Sequence, residues 1–269
     1  MDALSPAVPR LSRGPVRSSI RARPPRPAPE SLHPTLWLGH QLGRTREQAL
    51  PSGFAALDRE LPGGGWPRRA LSELLLPHAG VGEIRLLAAS LVALQRAGRL
   101  VMLFDPPAAL SAWALGGLGI AVAQLLVVDT RSRPGHDGLW AFEQALKSGQ
   151  VGAALAWLPS RVPHERVRRL QLAAQHHDGP AFVLRERAAV ERPTAAPLRL
   201  ALKPRGADLL EIRLLKRRGP PLEHGLLLEL PPVLTASARQ RAIAVRHAPA
   251  LQPATFVDLG APLDERLAA

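Results

Sequence analysis

The chain has 269 residues, of which 46% are hydrophobic and 21% are charged, so it can bury a core of the size found in one α/β domain with tails or in two small domains. This composition excludes a wholly disordered chain, a collagen-like chain and a coiled-coil rod, and the absence of cysteine excludes disulfides, thiolate-bound zinc, iron–sulfur clusters and a cysteine nucleophile. The 35 basic residues outnumber the 22 acidic ones and give a formal net charge of +13, which attracts polyanions such as nucleic acid, or acidic protein surfaces.

The N-terminal residues 1–30 predict a disordered arm rich in proline and arginine. They contain seven prolines, six arginines and two acidic residues, and they show almost no hydrophobic periodicity. Proline removes backbone donors and blocks helix interiors, and few apolar side chains are present to offset the cost of ordering. We therefore expect this arm to lie outside the folded domain.

Residues 31–219 alternate between short apolar strands and amphipathic helices. Strands are predicted at 70–76, 100–104, 125–128, 151–157 and 181–184, and helices at 82–97, 108–116, 136–147 and 163–177. A hairpin follows, with strands at 198–203 and 209–215. Continuous apolar strands between helices are typical of a parallel sheet covered on both faces, so we predict one α/β domain with a mainly parallel sheet and an antiparallel hairpin at its edge.

Residues 220–269 predict a C-terminal appendage rather than a further domain. They contain one short apolar run at 226–230, which predicts a strand, and then a helix over 235–246 with Thr235 or Ser237 as its cap. The segment carries four arginines and five acidic residues, so the positive charge lies elsewhere, above all in 161–219, where fourteen basic residues face six acidic ones.

No segment predicts a membrane span or a secretory signal. The longest near-apolar stretch, 114–128, contains three glycines and a glutamine and falls short of about 18 consecutive apolar residues. The N-terminus lacks a continuous apolar region. We therefore expect a cytoplasmic protein without membrane contact.

The first predicted strand ends where a phosphate-binding loop would stand in a doubly wound sheet. The segment PHAGVGEI, residues 77–84, aligns with the pattern G-x-x-x-x-G-K-[ST] at its second glycine, Gly82. Pro77 replaces the first glycine, Glu83 replaces the lysine and Ile84 replaces the hydroxyl residue. A lysine about 4 Å from a phosphate charge is worth about 4 kcal/mol near the protein surface, and Glu83 turns this attraction into repulsion. We therefore predict a degenerate loop, marked by Pro77, Gly80, Gly82 and Glu83, that does not bind ATP in the usual way.

Several segments resemble a known family. SGFAALD at 52–58 and LPGGGWP at 61–67 resemble the entry to RecA-type recombinase cores. The set LPGGGWPRRALSEL, GVGEIRLL, LWAFEQALKSG, ALAWLP, RRLQLAA and LKRRG is similar to the ImuA family, the RecA-like accessory proteins of bacterial translesion DNA synthesis. The resemblance spans about 52–219 and is specific as a set, whereas each segment alone is weak; both tails lie outside it. It implies a RecA-like fold of the P-loop type.

The chain departs from the recombinase pattern at three catalytic positions. Glu83 stands in place of the P-loop lysine, no carboxylate follows Asp105 because Pro106 and Pro107 come next, and Trp157 stands in place of the Walker B aspartate. ATP hydrolysis needs a phosphate clamp, metal ligands and an oriented water together. We therefore expect no catalytic residue, no bound metal and no cofactor.

The resemblance also implies a function and partners. It implies a non-catalytic scaffold that acts in SOS-induced, error-prone translesion synthesis by contacts with an ImuB-like pseudo-polymerase and an error-prone polymerase, and with RecA as a further partner. Two alternatives stay open: an active RecA-like ATPase of DNA repair with an unusual loop, and a SulA-like inhibitor of cell division.

Two basic segments are candidate contacts for DNA or an acidic partner. Arg166, Arg168 and Arg169 lie on one predicted helix, and Lys216-Arg217-Arg218 ends the hairpin. We expect a patch for phosphates or acidic side chains if the two segments meet in space, and a solvated cationic edge if they do not.

Other residues carry structural interpretations. We expect Trp66 to pack, Trp140 and Phe142 to lie in the core or face a partner, and Asp58 and Glu73 to form ion pairs near the arginine-rich turn at 68–69.

Overall fold

The structure, a computed structural model, describes residues 49–131, 137–235, 237, 238 and 240. The predicted arm at 1–30 lies outside these residues, and so does most of the predicted helix at 235–246.

An eight-stranded sheet forms the centre of the described part of the chain, in the spatial order β3-β2-β4-β5-β1-β6-β7-β8. The first six strands in this order pair in parallel, and β7 and β8 complete one edge in antiparallel pairing. The strands are β1 (Leu71–Leu76), β2 (Leu100–Phe104), β3 (Leu125–Val128), β4 (Val151–Trp157), β5 (Ala181–Glu186), β6 (Leu198–Pro204), β7 (Leu209–Lys216) and β8 (Leu226–Glu229).

Helices cover both faces of the sheet, because each helix carries one apolar stripe that packs against strands. The α-helices are α1 (Ala55–Glu60), α2 (Glu83–Arg96), α3 (Ala112–Gly117), α4 (Gly138–Lys147) and α5 (His164–Ala174), and two short 3₁₀ helices span Val122–Gln124 and Arg187–Glu191. One buried core joins α1, α2 and α3 to the sheet, and a second joins α4 and α5 to its opposite face. The mostly parallel sheet with an antiparallel edge confirms the predicted α/β class and is consistent with a RecA-like fold.

The strand predictions at 100–104, 125–128 and 151–157 match β2, β3 and β4 residue for residue. The helix predicted at 108–116 instead begins at Ala112. Its start is fixed by Ser111, whose Oγ accepts a hydrogen bond from the N–H of Ala114 at 3.3 Å. The first backbone N–H groups of a helix have no acceptor within the helix, and a capping serine accepts a hydrogen bond from one of them. The cap at Ser111 therefore favours a helix that begins at Ala112.

The sheet continues beyond Gly219, where the sequence placed the end of the α/β domain. β8 pairs with β7 from Leu209 opposite Glu229 to Ile212 opposite Leu226, and Leu228 and Leu230 are buried in the main core. The strand expected in a separate appendage is therefore the outer strand of the domain's own sheet. Proline and glycine at 219–221 suggested a boundary, but they form a loop that returns the chain to the same sheet.

Within the described residues, no helix is long and apolar enough to cross a membrane.

Candidate ligand site at the carboxyl edge of the sheet

The loop between β1 and α2 is closed by its own glutamate. Gly82 precedes α2 in the left-handed region, at φ 114°, and Glu83 is the first residue of the helix. The side chain of Glu83 turns back over the loop, where Oε1 accepts a hydrogen bond from the N–H of Gly80 at 2.8 Å and Oε2 accepts one from the N–H of Gly82 at 3.1 Å. Glu83 is only 3% exposed. Backbone N–H groups at the start of a helix are the groups that hold a phosphate in nucleotide-binding loops, and here a carboxylate of the chain holds two of them.

The antiparallel edge of the sheet covers the same loop. The side chain of Leu230, just after β8, lies so close to Gly82 that a Cβ atom there would be 2.5 Å from Leu230 Cδ1. Arg85, in the first turn of α2, donates to Asp208 at 2.5 Å and to the carbonyl of Pro231 at 2.8 Å. These contacts fix β8 and the residues after it against the start of α2.

The carboxylate at the end of β2 is also held by the chain. Asp105 has a positive φ of 53°, which is unusual for a residue other than glycine. Its oxygens accept hydrogen bonds from the N–H of Thr130 at 2.7 Å and from the Thr130 hydroxyl at 2.8 Å. Asp105 therefore joins the end of β2 to the loop after β3, since both of its oxygens are engaged with Thr130.

Trp157, at the end of β4, stands between two cavities at this edge. The first has a volume of about 440 Å³, and apolar side chains and backbone make up most of its walls. It lies over Gly80, Gly82 and Glu83, and α3 and Val233 form its other walls. The indole offers apolar surface to both cavities.

The second cavity, of about 750 Å³, is more polar and lies at the ends of β1, β2, β4 and β5. Its walls carry three acids and three arginines: Asp105, Asp137, Glu186, Arg131, Arg166 and Arg185. Burial acts to raise the pKa of Asp137, but hydrogen bonds from Arg166 and from the N–H groups of Trp140 and Leu139 outweigh it and lower this pKa. The acids and the arginines balance one another, so the cavity does not concentrate one sign of charge. Among the described residues, no group of three or more His, Asp or Glu side chains could hold a metal ion.

The first basic segment is largely used to join two helices. Arg166 pairs with Asp137 at 2.5 Å and Arg169 pairs with Glu143 at 2.8 Å, so α5 is tied to the start and middle of α4. Lys147 shares Glu143 at 2.6 Å, and its hydrogen bond is the main reason why the pKa of that carboxyl is lowered. Arg168 is exposed and has no polar partner in the described part of the chain.

The second basic segment lies at the opposite edge of the sheet. β7 ends at Lys216, whose backbone lies opposite that of Arg199 near the start of β6. Residues 216–218 therefore lie beside the amino ends of the parallel strands. Lys216 donates to the carbonyl of Thr194 at 3.1 Å, and Arg217 pairs with Glu60 at 2.8 Å. The structure therefore does not bring the two predicted basic segments together into one patch.

A buried ion cluster crosses three strands and was not anticipated as such. Glu73 on β1, fully buried, lies 2.7 Å from Arg185 on β5 and 2.8 Å from Arg199 on β6. Arg185 also donates to the carbonyl of Ser160, and Arg199 to that of Val190. The expectation that Glu73 forms an ion pair is confirmed, but its partners come from neighbouring strands. The available signal was a charged residue within each of three largely apolar strands.

The arginines of the turn before β1 pair elsewhere. Arg69 pairs with Asp178 at 2.7 Å. Asp58 accepts a hydrogen bond from the N–H of Ser52 at 2.8 Å, and no ion pair of Asp58 occurs among the described residues. The expected ion pair at Asp58 is therefore replaced by a backbone hydrogen bond.

The tryptophans divide between core and surface. Trp66 is fully buried and packs edge-on against Phe182, with ring centroids 5.2 Å apart, which confirms the expected packing role. Phe142 packs in the same manner against Phe104 at 5.3 Å, whereas its helix neighbour Trp140 is 57% exposed. Trp113 on α3 is 91% exposed, and no sequence motif had marked it as a candidate contact.

These features define an α/β domain with a mixed sheet. At the carboxyl edge of that sheet, the loop N–H groups and the carboxylate of Asp105 form hydrogen bonds within the chain. No protein-family model matches the chain, and no curated protein matches it in sequence.

Proposed function

We propose that the chain is a non-catalytic RecA-like accessory protein of SOS-induced, error-prone translesion DNA synthesis. In this proposal it acts in the cytoplasm by contacts with an ImuB-like pseudo-polymerase and an error-prone polymerase, and with RecA as a further partner. Its support is the set of segments between 52 and 219 that are similar to the ImuA family, together with a fold consistent with that resemblance.

The main observation in favour of a protein without ATPase activity is the position of the Glu83 carboxylate. It accepts hydrogen bonds from the N–H groups of Gly80 and Gly82. A nucleoside triphosphate bound in the usual way would need these donors and would bring negative charge close to a carboxylate in the same small space. Trp157 in place of the metal-binding aspartate, and the engagement of Asp105 with Thr130, point in the same direction.

The apolar cavity supports a role in protein contact. Its walls of Ala, Pro, Leu and Trp side chains suit an apolar side chain of a partner better than a charged nucleotide. Trp113 lies on α3, a helix that lines this cavity, and is almost fully exposed. Tryptophan is among the residues that most often dominate protein interfaces, so Trp113 is the side chain whose removal should weaken partner binding most.

The test is co-purification of the full chain with an ImuB-like protein, alone and with an error-prone polymerase. We expect a stable complex that Trp113→Ala weakens at least tenfold. Trp140→Ala is the matched control, because Trp140 is an exposed tryptophan on the opposite face of the sheet. Equal binding by the wild type and both variants would show that Trp113 does not contribute to the interface. The absence of any complex would contradict the proposed function.

A parallel measurement addresses the enzymatic alternative. Calorimetry with ATP and magnesium should show no binding, and steady-state assays should show no turnover. Binding at low micromolar ATP that Gly82→Asp abolishes would instead favour an active ATPase. Binding to a cell-division protein rather than to a polymerase would favour the inhibitor alternative.

A further inference from the structure

Four arginines gather at the amino edge of the sheet, away from the degenerate loop. Arg68 and Arg69 precede β1, Arg99 precedes β2, and Arg218 follows β7. The amino ends of parallel strands meet at the same edge, and β7 runs antiparallel and ends there. We call these four residues the amino-edge arginine cluster.

Two adjoining cavities link the members of this cluster. The first, of about 610 Å³, is lined by Arg68, Arg69 and Arg99. The second, of about 510 Å³, is lined by Arg69 and Arg218. Because Arg69 contributes to both, the arginines form a continuous band rather than separate sites.

The band has a clear excess of positive charge. Of the described residues that line the two cavities, Asp178 is the only acid, and it pairs with Arg69. The positive field also reaches the buried His177, whose pKa is lowered to about 4 by its burial and then by the charge of Arg99. The mixed cavity at the carboxyl edge lacks this excess, because acids balance its arginines.

Three of the arginines are held in place and still have donors to offer. Nη2 of Arg99 donates to the carbonyls of Gly149 and Val151, at 3.2 and 3.1 Å. Arg68 donates from Nη1 to the carbonyl of Asp178 at 3.3 Å, and Arg69 donates from Nε and Nη2 to its carboxylate. Each guanidinium carries five N–H donors, so each retains some for a ligand. Arg218 is exposed and has no polar partner among the described residues.

The first cavity is lined by the three arginines, by Leu94 and Ala97, and by two glycines, Gly152 and Gly179, that pack closely against neighbouring atoms. A Cβ atom at Gly152 would clash with Arg99, and one at Gly179 would clash with the carbonyl of Gly152. Arg68, Arg69 and Arg99 line this recess, and its volume is large enough for an anionic group to enter. A guanidinium binds phosphate oxygens with paired, charge-assisted hydrogen bonds.

We propose that the amino-edge arginine cluster binds the phosphate backbone of duplex DNA. A band that spans two cavities matches a repeating anion better than a single phosphate. No aromatic side chain lines either cavity, so the stacking platforms typical of single-strand binding are missing from these walls. Contacts to phosphates without contacts to bases give binding independent of sequence. This inference goes beyond the proposed function and does not depend on any protein partner.

The test measures the binding of a fluorescently labelled duplex to the full chain by anisotropy over a range of salt concentrations. The variant Arg68→Gln/Arg218→Gln removes two members of the cluster and spares the two arginines anchored most firmly. We expect weaker binding and a salt slope flatter by about 1.8, from about 0.9 for each lost phosphate contact. Thermal melts of both proteins establish that the variant is folded.

A variant of equal charge provides the control. Arg168→Gln/Arg213→Gln removes two exposed arginines that have no polar partner in the described residues and line neither cavity. We expect its salt slope to match that of the wild type. Equal flattening in both variants would show a general effect of net charge and would overturn the proposal, as would no duplex binding by the wild type.

Two further ligands test whether the cluster binds another polyanion in preference to duplex DNA. Single-stranded DNA of equal length should bind more weakly than duplex, and a reversed order would overturn the choice of duplex. Poly-glutamate tests for an acidic protein as the true ligand. If the cluster variant lost poly-glutamate binding but kept duplex binding, the arginines would serve a protein partner and the proposal would be wrong.

Discussion

Oε1 of Glu83 accepts a hydrogen bond of 2.8 Å from the backbone N–H of Gly80, three residues earlier in the chain. A carboxylate of the chain thereby binds where a phosphate would bind in a nucleotide-binding loop. Glu83 thus supplies an internal anion for this loop.

Glu83→Ala should destabilise the fold without creating a nucleotide site. The change removes the acceptor of two N–H groups; that of Gly80 is exposed and can bind water, but that of Gly82 is buried, and an unsatisfied buried donor costs about 1–3 kcal/mol. Urea unfolding measures the loss, and calorimetry with ATP and magnesium should still show no binding, because no lysine takes the place of Glu83. Glu83→Gln keeps one carbonyl acceptor and should lose less stability, so equal stability of all three proteins would contradict this account.

Glu73→Leu should be among the most damaging single changes. It leaves Arg185 and Arg199 buried without their shared carboxylate, and removing one partner of a buried ion pair costs about 3–5 kcal/mol. The triple variant Glu73→Leu/Arg185→Met/Arg199→Met should be more stable than Glu73→Leu alone, because no uncompensated charge remains. Denaturant unfolding compares the three proteins, and a single variant as stable as the wild type would contradict the role of the cluster.

His177 should make stability fall in mild acid. Burial lowers its pKa in the folded state to about 4, against an ordinary value of 6.5. The unfolded chain therefore takes up a proton below about pH 6.5 while the folded chain does not, and the free energy of unfolding drops until the pH passes the folded pKa. The total loss is about 3 kcal/mol, because each tenfold difference in proton affinity between the folded and unfolded chains corresponds to about 1.4 kcal/mol.

The measurement for His177 is denaturant unfolding at pH 7 and at pH 4.5. Carboxylates with lowered pKa values, such as Asp137 and Asp178, add losses of their own at still lower pH. His177→Asn isolates the histidine, and its stability should depend less steeply on pH over this range. An identical pH dependence in the two proteins would show that His177 contributes nothing.

Truncation should locate the true end of the domain. A chain that ends after Gly219 lacks β8 and exposes the apolar surface that Leu228 and Leu230 bury, so its melting temperature should collapse. A chain that ends after Thr235 keeps β8 and the contacts of Arg85, and should melt within a few degrees of the full chain. Scanning calorimetry decides between them, and a stable chain 1–219 would restore the boundary expected from the sequence.

The sequence was sufficient to predict the strands and helices of the parallel part of the sheet, because hydrophobic periodicity and local turn residues record them directly. The departures of Pro77, Glu83 and Trp157 from the recombinase pattern are also visible in the sequence alone, since each residue can be compared with that pattern position by position. That the loop does not bind a nucleotide stays a prediction. The sequence could not assign β8, because a run of four or five apolar residues after Gly-Pro-Pro carries no information on which strand it pairs with.

Only the tertiary structure determined which charged residues meet. Arg166 and Arg169 suggested a free basic face from helical spacing alone, yet two acids on α4 and at its start pair with them. The neighbours Arg68 and Arg69 are far in the chain from Arg99 and from Arg218, and strand order brings all four to one edge. The propensity to form a helix or a strand depends on residues that are neighbours in the sequence. The pairing of distant charges depends instead on which strands lie side by side, and the packing of the whole sheet decides this.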